Sequence, residues 1–146
     1  MDNIDDISLY IKEKFYGEYL EALRESVRIP SLNKVYDPEW KTNRALQRQC
    51  EHMAEFARKQ EIQRCTVTPL NDEERSPFLV IEVGGSPESK SDKSILIYGH
   101  MDKQPFGTGW KTDPCDPVIE NGKLYGRGSC DDCYAVYSAL LAIKAV

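Results

Sequence analysis

Two short motifs hold the residues of this sequence that can do chemistry. The first is Gly99-His100-Met101-Asp102, which follows the apolar run Ser94–Tyr98. The second is Gly126-Arg127-Gly128-Ser129-Cys130-Asp131-Asp132. In an extended chain, residues i and i+2 point to the same side, so His100 and Asp102 can face one cavity. An imidazole there can ligate a metal through one nitrogen while the other donates to a carboxylate or carbonyl that fixes the tautomer. Asp131 has two oxygens and can bridge two metal ions ~3.5–4 Å apart, a separation suited to polarising a carbonyl and activating water. Each residue also has a plainer reading. His100 alone suits a hydrogen-bonded core histidine, and Asp131-Asp132 suits a helix start, where Asp is favoured. The run Cys130-Asp-Asp-Cys133 also reads as a redox pair or half a structural zinc site. Its two carboxylates disfavour a thiolate, and no second CxxC exists. Gly126 and Gly128 suit a tight turn and match no phosphate-binding pattern. His52 falls mid-helix and reads as structural.

The elements that must position these residues follow from periodicity. Ile4, Ile7, Ile11, Phe15, Tyr19, Leu23 and Val27 recur every three or four residues, which predicts one amphipathic helix over 4–27. Pro30 ends it by forcing Ile29 out of helical conformation. Asp37-Pro38 starts a second helix, whose apolar face (Leu46, Cys50, Met53, Ala57) runs to about Gln60. Cys65–Thr68 reads as an edge strand and Phe78–Val83 as an inner one, with a polar surface loop over 86–94. The continuously apolar 94–98 fits a strand buried on both faces of a sheet. Residues 103–117 read as a structured loop, and Val118–Tyr125 as a hairpin turning on Asn121-Gly122. From Asp132 onward the sequence is apolar nearly all round, the pattern of a buried helix. Alternating helices and strands predict an α/β fold with a mixed, mostly parallel sheet. In such sheets function gathers at the carboxyl ends of strands, where His100 and Asp131 fall.

Composition bounds the partners. The chain has 146 residues and a net charge of −5, which disfavours nucleic acid and anionic membranes, since both reward clustered Lys and Arg. The acidic N-terminus lacks the apolar core of a signal peptide, and no run approaches the ~18 apolar residues of a membrane span. Five cysteines without regular spacing read as reduced thiols in a cytoplasmic protein.

Taken together, Tyr98–Pro105, Gly109-Trp110, Asn121–Gly128 and Asp131-Asp132 resemble the dinuclear-zinc exopeptidases of clan MH, which include carnosine-type dipeptidases, aminoacylases, glutamate carboxypeptidases and desuccinylases. The helix stop at Ile29-Pro30-Ser31 is similar to that family's N-terminal start. The resemblance implies a partial three-layer catalytic domain, with residues 1–146 as its N-terminal segment, lacking the C-terminal part and the lid domain. It implies His100 and Asp131 as metal ligands, with Asp131 bridging two Zn²⁺ ions and joined to Asp132 by a cis peptide. Asp102 would be the catalytic partner that orients His100. The implied substrate is a small peptide or N-acyl amino acid, and the full-length form would be a homodimer. Cys133 departs from the pattern, because a glycine commonly follows the Asp pair, and its side chain is expected to crowd the helix start.

A zinc hydrolase holds each ion with about three protein ligands plus water. The family's glutamate base and remaining ligands lie beyond this stretch, so weak zinc binding and no efficient turnover are expected of residues 1–146. Val146 sits in an apolar helix without a C-cap signal, which also reads as a fragment. The alternative reading is a non-catalytic interaction module that retains the half-domain and binds a partner through unpaired edges. A thiol redox protein ranks third.

Overall fold

A computed structural model describes residues 3–146. The predicted first helix forms but is broken in two. Helix α1 (Ile4–Lys14) is capped by the Asn3 side chain, which accepts from the Asp5 N–H. A π-helical turn over Phe15–Tyr19 follows, with Gly17 at non-helical dihedrals (φ −90°, ψ −116°), and α2 (Leu20–Arg28) resumes beyond it. Glycine carries no side-chain preference to hold the helical path, so the axis breaks there. The expected stop holds: Ile29 is extended (φ −79°, ψ 117°) before Pro30.

The second helix is also divided. Asp37 accepts from the Glu39 N–H and from Asn43, closing a short α3 (Trp40–Asn43). Arg44 is left-handed (φ 54°) and separates α3 from α4 (Ala45–Lys59). The face predicted to be apolar packs inward, with Leu46, Cys50, Met53 and Ala57 all buried.

Strands β1 (Cys65–Asp72) and β2 (Arg75–Val83) form one antiparallel hairpin in the register Cys65↔Val83 to Leu70↔Phe78. Strands β3 (Val118–Glu120) and β4 (Lys123–Tyr125) form the second hairpin. It turns on Asn121 and Gly122, both at positive φ (52° and 73°), as a type I′ turn requires. The fold is mixed α/β, but a mostly parallel sheet is absent among the described residues. Its expected central strand, 94–98, forms no strand, and Ile95 and Leu96 are 91% and 94% exposed. An apolar run is buried in a sheet only where neighbours flank it, and β1 and β2 pair with each other instead. One parallel bridge is present, Leu32↔Lys103.

Helix α5 (Tyr134–Ala145) buries one face rather than its whole circumference: Tyr137, Leu140, Leu141 and Ala145 are buried while Tyr134 is 44% exposed. The core lies where α2, α4 and α5 meet. Tyr19 and Phe56 pack edge to face at 4.9 Å, as do Phe56 and Tyr137 at 5.0 Å. A buried polar link runs through this core. Gln49 donates to Ser26 Oγ (2.8 Å), which also bonds Tyr137 OH (2.5 Å), joining α4, α2 and α5. No helix among the described residues is long and apolar enough to cross a membrane.

Candidate metal centre

The chain after Pro30 builds the floor of the site. The backbone of 31–33 pairs with that of 101–103: Lys103 N–H donates to Ser31 O (2.8 Å) and Asn33 N–H to Lys103 O (2.9 Å). Ser31 Oγ adds a bond to Met101 O (3.0 Å). These contacts fix the segment that carries His100 and Asp102. Lys103, next in line, is fully buried. Its ammonium donates to Ser26 O, Val27 O and Ile29 O at 2.8, 2.9 and 2.5 Å, closing the C-terminal end of α2. A cation suits the carbonyl-rich end of a helix. Burial pulls the Lys103 pKa down, opposed by the nearby Cys133 and Cys115 thiols.

The turn before α5 supplies the opposite wall. Gly128 is at φ 92°, and a Cβ there would stand 2.8 Å from Lys103 Cε and 2.9 Å from Cys133 Sγ. Glycine is therefore required for closeness as well as for turning. Cys133 does not crowd the site. Its side chain is fully buried under Gly128 and its thiol points to Met101 O (3.7 Å). Burial pushes that thiol up to about 11, against the pull of Lys103, with Asp132 and Asp102 raising it further. A thiol so held is a poor nucleophile or redox partner. All five cysteines are unpaired, Cys130 being exposed.

His100 and Asp131 meet. The His100 Nε2 stands 3.1 Å from Asp131 Oδ1, and its Nδ1 lies 3.0 Å from Asp102 O and 3.5 Å from Asp102 Oδ1. The Asp131–Asp132 peptide is cis. Asp132 points back as well, accepting the His100 N–H through Oδ2 (3.2 Å). The capping reading of the Asp pair does not hold, because α5 has no side-chain cap and both carboxylates turn toward 98–102. Gly99 permits this approach, since a Cβ there would fall 2.4 Å from Ala135 Cβ. His52 is structural, with Nε2 against Ala22 O at 2.9 Å.

The donor chemistry of this pair is specific. A carbonyl only accepts, so Nδ1 carries a hydrogen, and Nε2 faces a carboxylate oxygen, either as a second N–H donor or as a lone pair toward a shared cation. At 3.1 Å the pair spans either a direct N–H···O bond or a shared cation. Two ligands ~2.0–2.1 Å from one ion at a tetrahedral angle would stand about 3.3–3.4 Å apart, close to that spacing. The pair thus fits two positions on one ion. No group of three or more His, Cys, Asp or Glu that could hold a metal occurs among the described residues.

Comparison with known proteins adds a resemblance. Residues 96–146 match the model of peptidase family M20/M25/M40, the stretch that contains both His100 and Asp131. Over that stretch the chain is similar to the M20/M25/M40 peptidases. The resemblance is to a family of hydrolases. It is 43% identical over 70 residues to a Beta-Ala-His dipeptidase of Mus musculus, covering 47% of this chain and 14% of that protein. It is 38% identical over 72 residues to a Cys-Gly metallodipeptidase of Schizosaccharomyces pombe, with the same coverages, 47% and 14%. An uncharacterized metallohydrolase of Methanocaldococcus jannaschii is 44% identical over 57 residues, 38% of this chain and 14% of that protein. The chain spans about a seventh of the length of these curated relatives.

Sequence reading missed Asn33, Ser31 and Lys103. The signal was the adjacency of Lys103 to the His-x-Asp motif and of Ser31-Leu-Asn33 to the helix stop. Neither shows which distant stretch it will meet.

Proposed function

We propose that residues 1–146 are the N-terminal segment of the catalytic domain of a zinc-dependent hydrolase that cleaves peptide or N-acyl amino-acid amide bonds. The observation that carries this reading is the His100 Nε2–Asp131 Oδ1 contact, two metal-type donors facing each other with the Nδ1 side already satisfied. His100 and Asp131 are the ligands, and the second oxygen of Asp131 is free to reach a second ion. Asp102 orients the imidazole from the Nδ1 side. When bound, a zinc pair polarises the scissile carbonyl and lowers the pKa of water. Asp132 holds the His100 backbone, so the imidazole and the Asp131 carboxylate stay in register. Substrates of the dipeptide class fit the names of the relatives, and five unpaired thiols suit a reducing compartment. A homodimer of the full-length form belongs to the same reading.

Zinc titration of the 146-residue chain by calorimetry tests the ligand assignment. Weak binding is expected, lost in His100→Ala and in Asp131→Asn by at least the roughly 10–100-fold that a merely supporting residue costs. Binding unchanged in both variants refutes the assignment. Two tightly held ions per chain refute the incompleteness of the donor set.

One observation favours the second reading, a non-catalytic interaction module. Ile95, Leu96 and Tyr98 are 91%, 94% and 78% exposed on one continuous stretch. Such a module gives stable oligomers in sedimentation and leaves them unchanged by zinc.

A further inference from the structure

We infer that Asn33 is a positioning residue for the metal centre, setting the Asp102 carboxylate that in turn sets His100. The inference rests on the proposed zinc reading for its purpose, though its geometry stands alone. Asn33 is held at four points, one of them its carbonyl, which accepts the Tyr36 N–H (2.9 Å). Its N–H donates to Lys103 O (2.9 Å), and its Oδ1 accepts the Val35 N–H (2.9 Å). Its Nδ2 donates to Asp102 Oδ2 (2.5 Å). The Val35 bond decides the orientation of the amide. Because Oδ1 faces a backbone donor, the NH₂ end must face Asp102. Asp102 is then held at Oδ2, and its Oδ1 lies 3.5 Å from His100 Nδ1 while its carbonyl lies at 3.0 Å. The chain of contacts runs from Asn33 to the Asp102 carboxylate, which flanks Nδ1 at ion-pair distance beside the carbonyl that bonds it, while Nε2 faces Asp131. Partners that fix a ligating histidine typically change metal affinity by 10–100-fold. Asn33 does so one step further out, from a loop 69 residues away in sequence.

The isosteric variant Asn33→Asp isolates this role. It keeps the oxygen that accepts from Val35, so a turn-forming role is unaffected. It replaces the NH₂ facing Asp102 with a second acceptor. Adding Asp102→Asn restores a donor to the pair with the direction of the bond reversed. Two readouts are taken on the 146-residue chain. One is zinc affinity by calorimetry; the other is the His100 tautomer by long-range ¹H–¹⁵N correlation without metal. Expected results are Nδ1–H in the wild type, a mixed tautomer and about 10-fold weaker zinc binding in Asn33→Asp, and recovery of both in the double variant. An unaltered tautomer in folded Asn33→Asp overturns the inference. Should Asn33→Asp fail to fold, the double variant decides: folding with a wild-type tautomer supports the positioning role, and a misassigned tautomer overturns it. Should the wild type bind no zinc, the ligand assignment fails, while the tautomer still judges Asn33.

Discussion

Replacing Lys103 with methionine removes a buried ammonium while keeping most of the volume of its stem. The ammonium makes three bonds to carbonyls at the end of α2. Desolvation pulls its pKa down, so the charge itself is held at a cost that these bonds offset. The variant's loss can be traced from the carbonyls themselves. Ser26 O keeps the Ile29 N–H (3.3 Å) and Ile29 O keeps the Ser31 N–H (2.8 Å). Val27 O keeps no donor among these contacts, and an orphaned buried carbonyl costs ~1–3 kcal/mol. Loss of a cation at a partly buried helix C-terminus adds up to ~2 kcal/mol, offset by the relieved desolvation. The expected loss is ~1–3 kcal/mol, about 3–10 °C in Tm for a chain of this size. Urea denaturation of Lys103→Met against wild type is the assay, with an unchanged m-value as the sign that only stability moved. Equal or greater stability in the variant refutes the reasoning, because the ammonium would then be a net liability held for some other purpose.

Two further outcomes follow from the same geometry. Gly99→Ala forces a Cβ to within 2.4 Å of Ala135 Cβ, so the 98–102 segment must lift from α5. A stability loss of ~1–3 kcal/mol and weakened zinc binding are expected by denaturation and calorimetry, and a neutral variant refutes the close approach. Burial raises the Cys50 thiol from 9.0 to about 11, with Glu51 adding to the rise and Arg58 opposing it. The folded thiol stays neutral where the unfolded one ionises, so its stabilisation is complete below pH 9 and falls away as pH rises to about 11. Wild type should lose about 2–3 kcal/mol more than Cys50→Ala across that window, and parallel pH profiles refute it.

Much of the local structure was legible from neighbouring residues alone. The Asn121-Gly122 turn, the stop at Pro30 and the buried face of α4 each depend on residues within a few positions of one another. The two helix breaks were missed because the apolar spacing runs unbroken through Gly17, and because Arg44 gives no sign of a left-handed backbone. The run at 94–98 was misjudged for another reason: its composition reports what it would bury against, and no partner strand is present among the described residues. At the site, the types and spacing of His100, Asp102 and Asp131 singled out residues that the structure brings together. Asn33 and Lys103 were invisible, since their roles exist only once α2 and the 101–103 segment meet.

The sequence distances bridged around His100 set an order of assembly. The β1–β2 hairpin closes within one short stretch of chain, and α4 directly precedes it. The corner behind His100 requires Asn33 to find Asp102 across 69 positions, and the core under it requires Ser26 to find Tyr137 across 111. Closing long loops costs entropy before any contact repays it, so such meetings come late. During synthesis the strip after Pro30 must therefore wait, unsupported, until the ribosome has delivered Tyr137. Any factor that slows or diverts the chain in that interval acts on the corner around His100 first and leaves the hairpin intact.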